Sequence, residues 1–165
     1  MTPAITLEEL LNWSRQSAQF WKAHFEANPA LLQLPCTIDD SGVLQELVRH
    51  IWMAELRWAQ CVSGRPMVPR TDLPTGPLDA LFAMHEEAAR MVQSLLDDPA
   101  QDWDERLTLS YESLAPALRK PSRRKALAHA LLHSQRHWTQ VTSLVREAGF
   151  PSGFQGDVLF SLALE

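Results

Sequence analysis

Several things are scarce in this sequence, and each scarcity narrows the reading. There are two cysteines, Cys36 and Cys61, without CxxC spacing, so neither a disulfide framework nor a cysteine zinc motif is expected. No charged, then apolar, then small-residue leader precedes the first helical pattern. Together these point to a reduced, intracellular setting, and a cytoplasmic location is expected. No apolar run approaches the roughly 20 residues that cross a bilayer, so no membrane role is expected. Positive charge is in deficit: 15 Lys and Arg against 20 Asp and Glu give a net charge of -5 and a pI near 5.7. The chain therefore has no overall attraction for phosphate backbones or anionic lipid, and nucleic acid is not expected as a partner. Internal repeats and low-complexity segments are missing too. What remains is a chain of 165 residues, 45% hydrophobic, which is enough for a real core and reads as one domain over residues 1–165.

Hydrophobic period then divides the chain into helices. Thr6 and Glu9 have capping-box spacing, and Leu7, Leu10, Leu11, Ser14, Phe20, Trp21 and Phe25 recur at helical intervals, predicting a helix over about 7–27. Residues 28–40 hold two prolines and little period, after which Asp39, Asp40 or Ser41 can cap a second helix. Its stripe is Leu44, Leu47, Ile51, Ala54, Trp58 and Val62, ending near Ser63 and Gly64. Four prolines between Arg65 and Pro77 make residues 64–74 a connector, and Pro77 suits the first turn of a third helix. Leu78, Leu81, Phe82, His85, Ala89, Val92 and Leu96 carry that helix to about Asp97. Residues 99–121 read as a long loop with one extended strand around Leu107, Leu109 and Tyr111. Ser122 can cap a fourth helix that Gly149 and Pro151 stop, and residues 157–164 suggest a short fifth helix. The expected fold is all-α: a four-helix bundle with long crossover loops and a short C-terminal helix.

The chemistry concentrates in histidine. HALLHSQRH places His129, His133 and His137 at intervals of four, offset by about 40° around the helix axis and about 6 Å along it, so either adjacent pair can share a ligand. A metal needs neutral imidazoles converging from one side, and a third must come from another helix. His50 is the best candidate, lying beside Leu47, Ile51 and Ala54 on the core-facing stripe of the second helix. His85 reads as an ordinary hydrogen-bonded core residue. His24, near the end of the first helix, reads as exposed or as complementing the helix dipole.

With these residues in place, the sequence resembles the DinB/YfiT-like superfamily of metal-binding four-helix bundles, over almost the whole chain. That family has a His in the second helix followed by a glutamate and an aromatic, matched by His50, Glu55 and Trp58 in HIWMAELRW. Its fourth helix carries a pattern of the type H-x-x-x-H-R-G-Q, matched by His133, His137 and Gln140 in HSQRHWTQV. The family's late Gly and acidic residue have counterparts in Gly149 and Asp157. The Arg-Gly after the last His is here Trp138 and Thr139, so the pocket shape is expected to differ. The resemblance implies the metal ligands His50, His133 and His137, with His129 one turn outside the triad.

Three imidazoles leave at least one coordination position open, as in catalytic rather than structural sites. All-His ligation favours a divalent transition metal, Zn or Ni first, with Fe, Co, Cu or Mn as further candidates, over Mg or Ca. Members of the superfamily include metal-dependent hydrolases and low-molecular-weight-thiol transferases, so the resemblance implies such an enzyme acting on a small-molecule substrate, and a homodimer. The alternative is a non-catalytic metal- or ligand-binding module of the same fold. No catalytic residue is assigned: Glu46 and Glu55 flank His50 without a clear facing, and no HExxH base is present. Trp52 and Trp138 read as core before pocket wall. The basic cluster Arg119, Lys120, Arg123, Arg124 and Lys125 reads as a solvated charge run before an anion site.

Overall fold

A computed structural model describes residues 5–109, 119–154 and 156–161. Four long helices form it: α1 (Leu7–Ala27), α2 (Leu44–Val62), α3 (Leu78–Leu96) and α4 (Arg123–Glu147). α1 starts where the capping box places it. The Thr6 hydroxyl accepts from the Glu9 N–H, and the Glu9 carboxylate accepts from the Thr6 N–H. Two donors that would face water at a bare helix start are thereby satisfied. α4 begins at Ser122, whose hydroxyl accepts from Lys125 N–H at 3.2 Å, and stops before Gly149, which takes φ +85°.

α2 departs from expectation at its start. Asp39, Asp40 and Ser41 do not cap it; its N-cap is Val43, which makes no side-chain bond to the helix. The acidic pair instead lies in a short 3-10 turn, Ile38–Asp40. That turn is held between two short strands, β1 (Pro35–Cys36) and β2 (Gly42–Val43), paired antiparallel. Residues 106–109 run beside 119–122, with Leu107 N–H donating to Pro121 O and Leu109 N–H to Arg119 O, so part of the expected extended segment is present; Tyr111 lies outside the described residues. The expected fifth helix is a single 3-10 turn, Val158–Phe160, and residues 162–165 lie outside the described residues.

α2 packs against α3 and α4, and α1 packs against the same two, so α1 and α2 sit at opposite corners. Each helix turns one apolar stripe inward. Leu47, Ile51, Trp52, Ala59 and Val62 come from α2, and Trp21, Phe25, Leu81, Leu127, Trp138, Val141 and Val145 from the others, all buried. A fully buried Leu, Ile or Phe contributes roughly 1.5–3 kcal/mol. Trp138 stacks on Trp21 at 5.7 Å between centroids and meets Trp52 edge to face at 5.8 Å, so both read-as-core tryptophans are core. Among the described residues no helix is long and apolar enough to cross a membrane.

One set of polar residues inside this core is paired across three helices. Ser14 of α1 donates to Glu55 of α2 at 2.8 Å, and His85 of α3 meets the other Glu55 oxygen through Nδ1 at 2.6 Å. Three helices are thus tied at one level, with the carboxylate between the hydroxyl and the ring.

Candidate metal centre

α2 and α4 pack against each other, and their facing sides carry the histidines. His50 comes from the second turn of α2. His133 and His137 come from successive turns of α4, spaced so that their rings point the same way. The structure brings these three together: one ligand atom from each lies within 4.8 Å of the others. Ring centroids are 4.5 Å apart for His133 and His137, 5.0 Å for His50 and His137, and 5.3 Å for His50 and His133. His137 is fully buried, while His50 and His133 are half-buried.

The hydrogen bonds define which nitrogen of His137 is free. Gln140 Oε1 can only accept, and it lies 2.7 Å from His137 Nδ1, so Nδ1 carries the proton. The Arg136 guanidinium can only donate, and its Nη2 lies 3.1 Å from His137 Nε2, so Nε2 presents a lone pair. His133 Nε2 is 3.2 Å from that same atom. His50 Nε2 and His133 Nδ1 are buried without a hydrogen-bond partner. Buried polar groups are paired in most proteins, and those left over call for a reason.

Burial also keeps the rings neutral. It is the first cause lowering the His133 pKa to about 3, followed by the neighbouring His137 and His50. His50 is lowered chiefly by burial and by His137, against a smaller raising effect of Asp39. Burial lowers His137 as well, partly offset by its bond to Gln140. Neutral imidazoles are the form that ligates a metal.

His129 stands apart from the three. It is exposed, with its ring 5.3 Å from Trp58 and 5.7 Å from His133. His85 is the hydrogen-bonded core histidine that its position suggests, bound to Glu55. His24 is half-buried in the last turn of α1, where it stacks on Phe20 at 6.0 Å. Glu55 is turned away from the cluster, since both its oxygens are engaged at Ser14 and His85. Glu46 reaches Arg49 at 4.0 Å. The Arg119 to Lys125 cluster is only partly a solvated run. Arg123 is 8% exposed, donating to Val62 O at the end of α2 and pairing with Glu105, whereas Lys120, Arg124 and Lys125 are exposed. Asp157 is exposed at the start of the last 3-10 turn.

Sequence reading missed Asp39, which it took only for a helix cap. Asp39 Oδ2 lies 3.3 Å from His137 Nε2 and 3.6 Å from His50 Nε2. The one signal available was its type and place, an Asp-Asp pair just before Ser41 and Gly42. Those residue types tolerate a left-handed turn. Arg136 was missed as well, because an exposed arginine between two ligand positions has no periodic signature.

No curated protein matches the chain. The family model described as DinB family matches residues 6–158, a span that contains all four helices, the hairpin turn carrying Asp39 and the three converging histidines. The chain belongs to the DinB family.

Proposed function

We propose that His50, His133 and His137 hold one divalent transition-metal ion and that the protein is a metal-dependent hydrolase or a thiol-dependent transferase acting on a small molecule. The observation that carries this reading is the convergence of three neutral imidazoles within 4.8 Å, two of which keep buried nitrogens without partners. All-nitrogen, borderline donors suit Zn or Ni, then Fe, Co, Cu or Mn, better than Mg or Ca. A divalent ion held there supplies Lewis acidity, lowering the pKa of water or a thiol and polarising a carbonyl.

The chain's own residues set up that chemistry. Gln140 accepts from the Nδ1–H of buried His137 and so fixes its tautomer, leaving Nε2 to face His50 and His133. Arg136, exposed beside His137, offers a guanidinium to negative charge that develops on a carbonyl oxygen or a thiolate. Trp138, next along α4, anchors the helix in the core and so holds both α4 ligands in register.

Elemental analysis of protein purified without an affinity tag tests the metal. The parent is expected to carry about one ion per chain and His133→Ala to lose it, whereas less than about 0.1 ion in the parent after incubation with Zn or Ni would refute the reading. Turnover by the loaded protein across ester, amide and thiol-conjugation panels, lost in His133→Ala, tests the enzyme half.

A further inference from the structure

The geometry points to Asp39 as a fourth, anionic ligand to the ion held by His50, His133 and His137. This rests on the metal reading above and deepens it, since three histidines alone leave the charge of the ion unopposed.

The argument starts from two acceptors that face each other. His137 Nε2 presents a lone pair, because its Nδ1–H is committed to Gln140 and Arg136 donates to it. Asp39 Oδ2 also presents lone pairs, and it stands 3.3 Å away. Two acceptors at that distance repel unless a proton or a cation lies between them. Nε2 has no proton to offer the carboxylate, since the ring's one N–H is at Nδ1 facing Gln140 and Arg136 donates to Nε2. A cation shared with His50 and His133, with the exposed Arg136 side chain swung off Nε2 into solvent, removes the conflict for all four donors together.

The spacing agrees with that. Metal–nitrogen and metal–oxygen bonds of about 2.0–2.1 Å in a tetrahedral site put neighbouring donors about 3.3 Å apart. The observed separations are 3.2 Å for His133 Nε2 to His137 Nε2, 3.3 Å for Asp39 Oδ2 to His137 Nε2, and 3.6 Å for Asp39 Oδ2 to His50 Nε2. The carboxylate therefore already sits about one coordination edge from two of the three imidazoles.

The backbone that delivers it is unusual. Asp39 takes φ 49° and ψ 37°, and Asp40 takes φ 55°, two successive left-handed residues that are not glycine. Such residues persist where the surrounding structure holds them. Here β1 and β2 clamp the turn on both sides, with Pro35 opposite Val43 and Cys36 opposite Gly42. The Asp39 side chain remains 44% exposed, so it approaches from the solvent side of a cluster whose other donors come from the helices. An anionic ligand lowers the net charge of the site and tightens its hold on a divalent ion.

Two variants test this on the full chain. Asp39→Asn keeps the shape and tolerance for the left-handed backbone, and Asp39→Gly removes the side chain while relieving the backbone cost. Zn affinity is read by competition with a chromophoric chelator, and the ligand set by the visible absorption of the Co(II)-loaded protein. Both variants are expected to bind Zn at least about tenfold more weakly than the parent, since even loss of a group outside the ligand set costs about 10–100-fold. Both are also expected to change the Co(II) bands, and added acetate is expected to restore them in Asp39→Gly. Affinities within about threefold of the parent, with unchanged Co(II) spectra, would overturn the assignment of Asp39 while leaving the three-histidine site standing. A parent that binds neither Zn nor Co(II) would overturn both.

Discussion

Glu55→Ala should cost the protein its stability and leave its metal. The side chain is 5% exposed and sits between Ser14 at 1% and His85 at 4%, accepting from the Ser14 hydroxyl at 2.8 Å and contacting His85 Nδ1 at 2.6 Å. Hydrogen bonds to an ionisable group contribute about 1.5–3 kcal/mol each, and two are lost together. Removing one partner of a buried charged pair costs about 3–5 kcal/mol, because the partner is left behind without compensation. The first route gives about 3–6 kcal/mol and the second about 3–5 kcal/mol. For a chain of this size about 2–4 °C accompanies each kcal/mol, so a loss of about 3–5 kcal/mol should lower the thermal midpoint by about 6–20 °C. Urea unfolding followed by far-UV circular dichroism measures the free energy, and elemental analysis of the folded variant in the cold measures the ion. Glu55→Leu combined with His85→Phe and Ser14→Ala should recover most of the loss, since an apolar replacement of the whole set leaves nothing unpaired. A loss below about 1 kcal/mol in Glu55→Ala would refute the view of Glu55 as a structural tie. So would a folded variant that has lost its metal, because that result would put the carboxylate in the site.

Other perturbations separate the remaining roles. Stability of the metal-free protein should fall as pH drops below about 6.5: the unfolded chain takes up protons there that buried His133, lowered to about 3, refuses, so the unfolded state binds more protons and the slope is positive in pH between those two values. His133→Gln should flatten that slope in urea titrations at pH 7, 6 and 5, and an unchanged slope would count against a neutral buried ring. Gln140→Leu should weaken metal binding by about 10–100-fold with little loss of helix content, because it frees the His137 tautomer; chelator competition reads it. Arg123→Ala should cost about 1.5–3 kcal/mol, as it strips a buried donor from Val62 O and Glu105, whereas exposed Arg124→Ala should stay within about 0.5 kcal/mol.

Long periodic segments were readable from sequence because their signals are local. Thr6 with Glu9 marks the first residue of α1, and Ser122 with Gly149 brackets α4, since caps act within four residues of the group they satisfy. The inward facing of His50 followed from its neighbours on the stripe. Asp39 was not readable, because two-residue strands are too short to show alternation and its position depends on left-handed backbone imposed by their pairing. The same holds for Glu55 and Arg123. Helix period left the facing of Glu55 open and cannot name Ser14 and His85 as its partners, 41 and 30 residues away. A run of basic residues cannot show which one will meet the C-terminal carbonyls of α2. Those carbonyls lack partners within their own helix and attract a cation, which is the physical reason Arg123 is drawn inside.

The bundle contains two buried histidine environments, and their polar accounting separates them. At the Ser14–Glu55–His85 level the carboxylate meets both neighbours at hydrogen-bond distance, and neither the Ser14 hydroxyl, the Glu55 oxygens nor the His85 nitrogens are among the buried atoms without partners. Such a set needs no ligand and ties α1, α2 and α3 together. At the other level, between α2 and α4, three ring nitrogens and a carboxylate oxygen crowd together. His137 Nε2 meets His133 Nε2 and Asp39 Oδ2, while His50 Nε2 and His133 Nδ1 have no partner. A helix pair that merely had to bury these rings would be more stable with a Glu55-like carboxylate hydrogen-bonded to each. Instead His50, His133, His137 and Asp39 converge on one point, the arrangement that the proposed divalent cation would use. Metal loading should therefore raise the thermal midpoint through the α2–α4 interface, and histidine substitutions there should abolish that gain, whereas His85→Phe with Glu55→Leu should leave it intact.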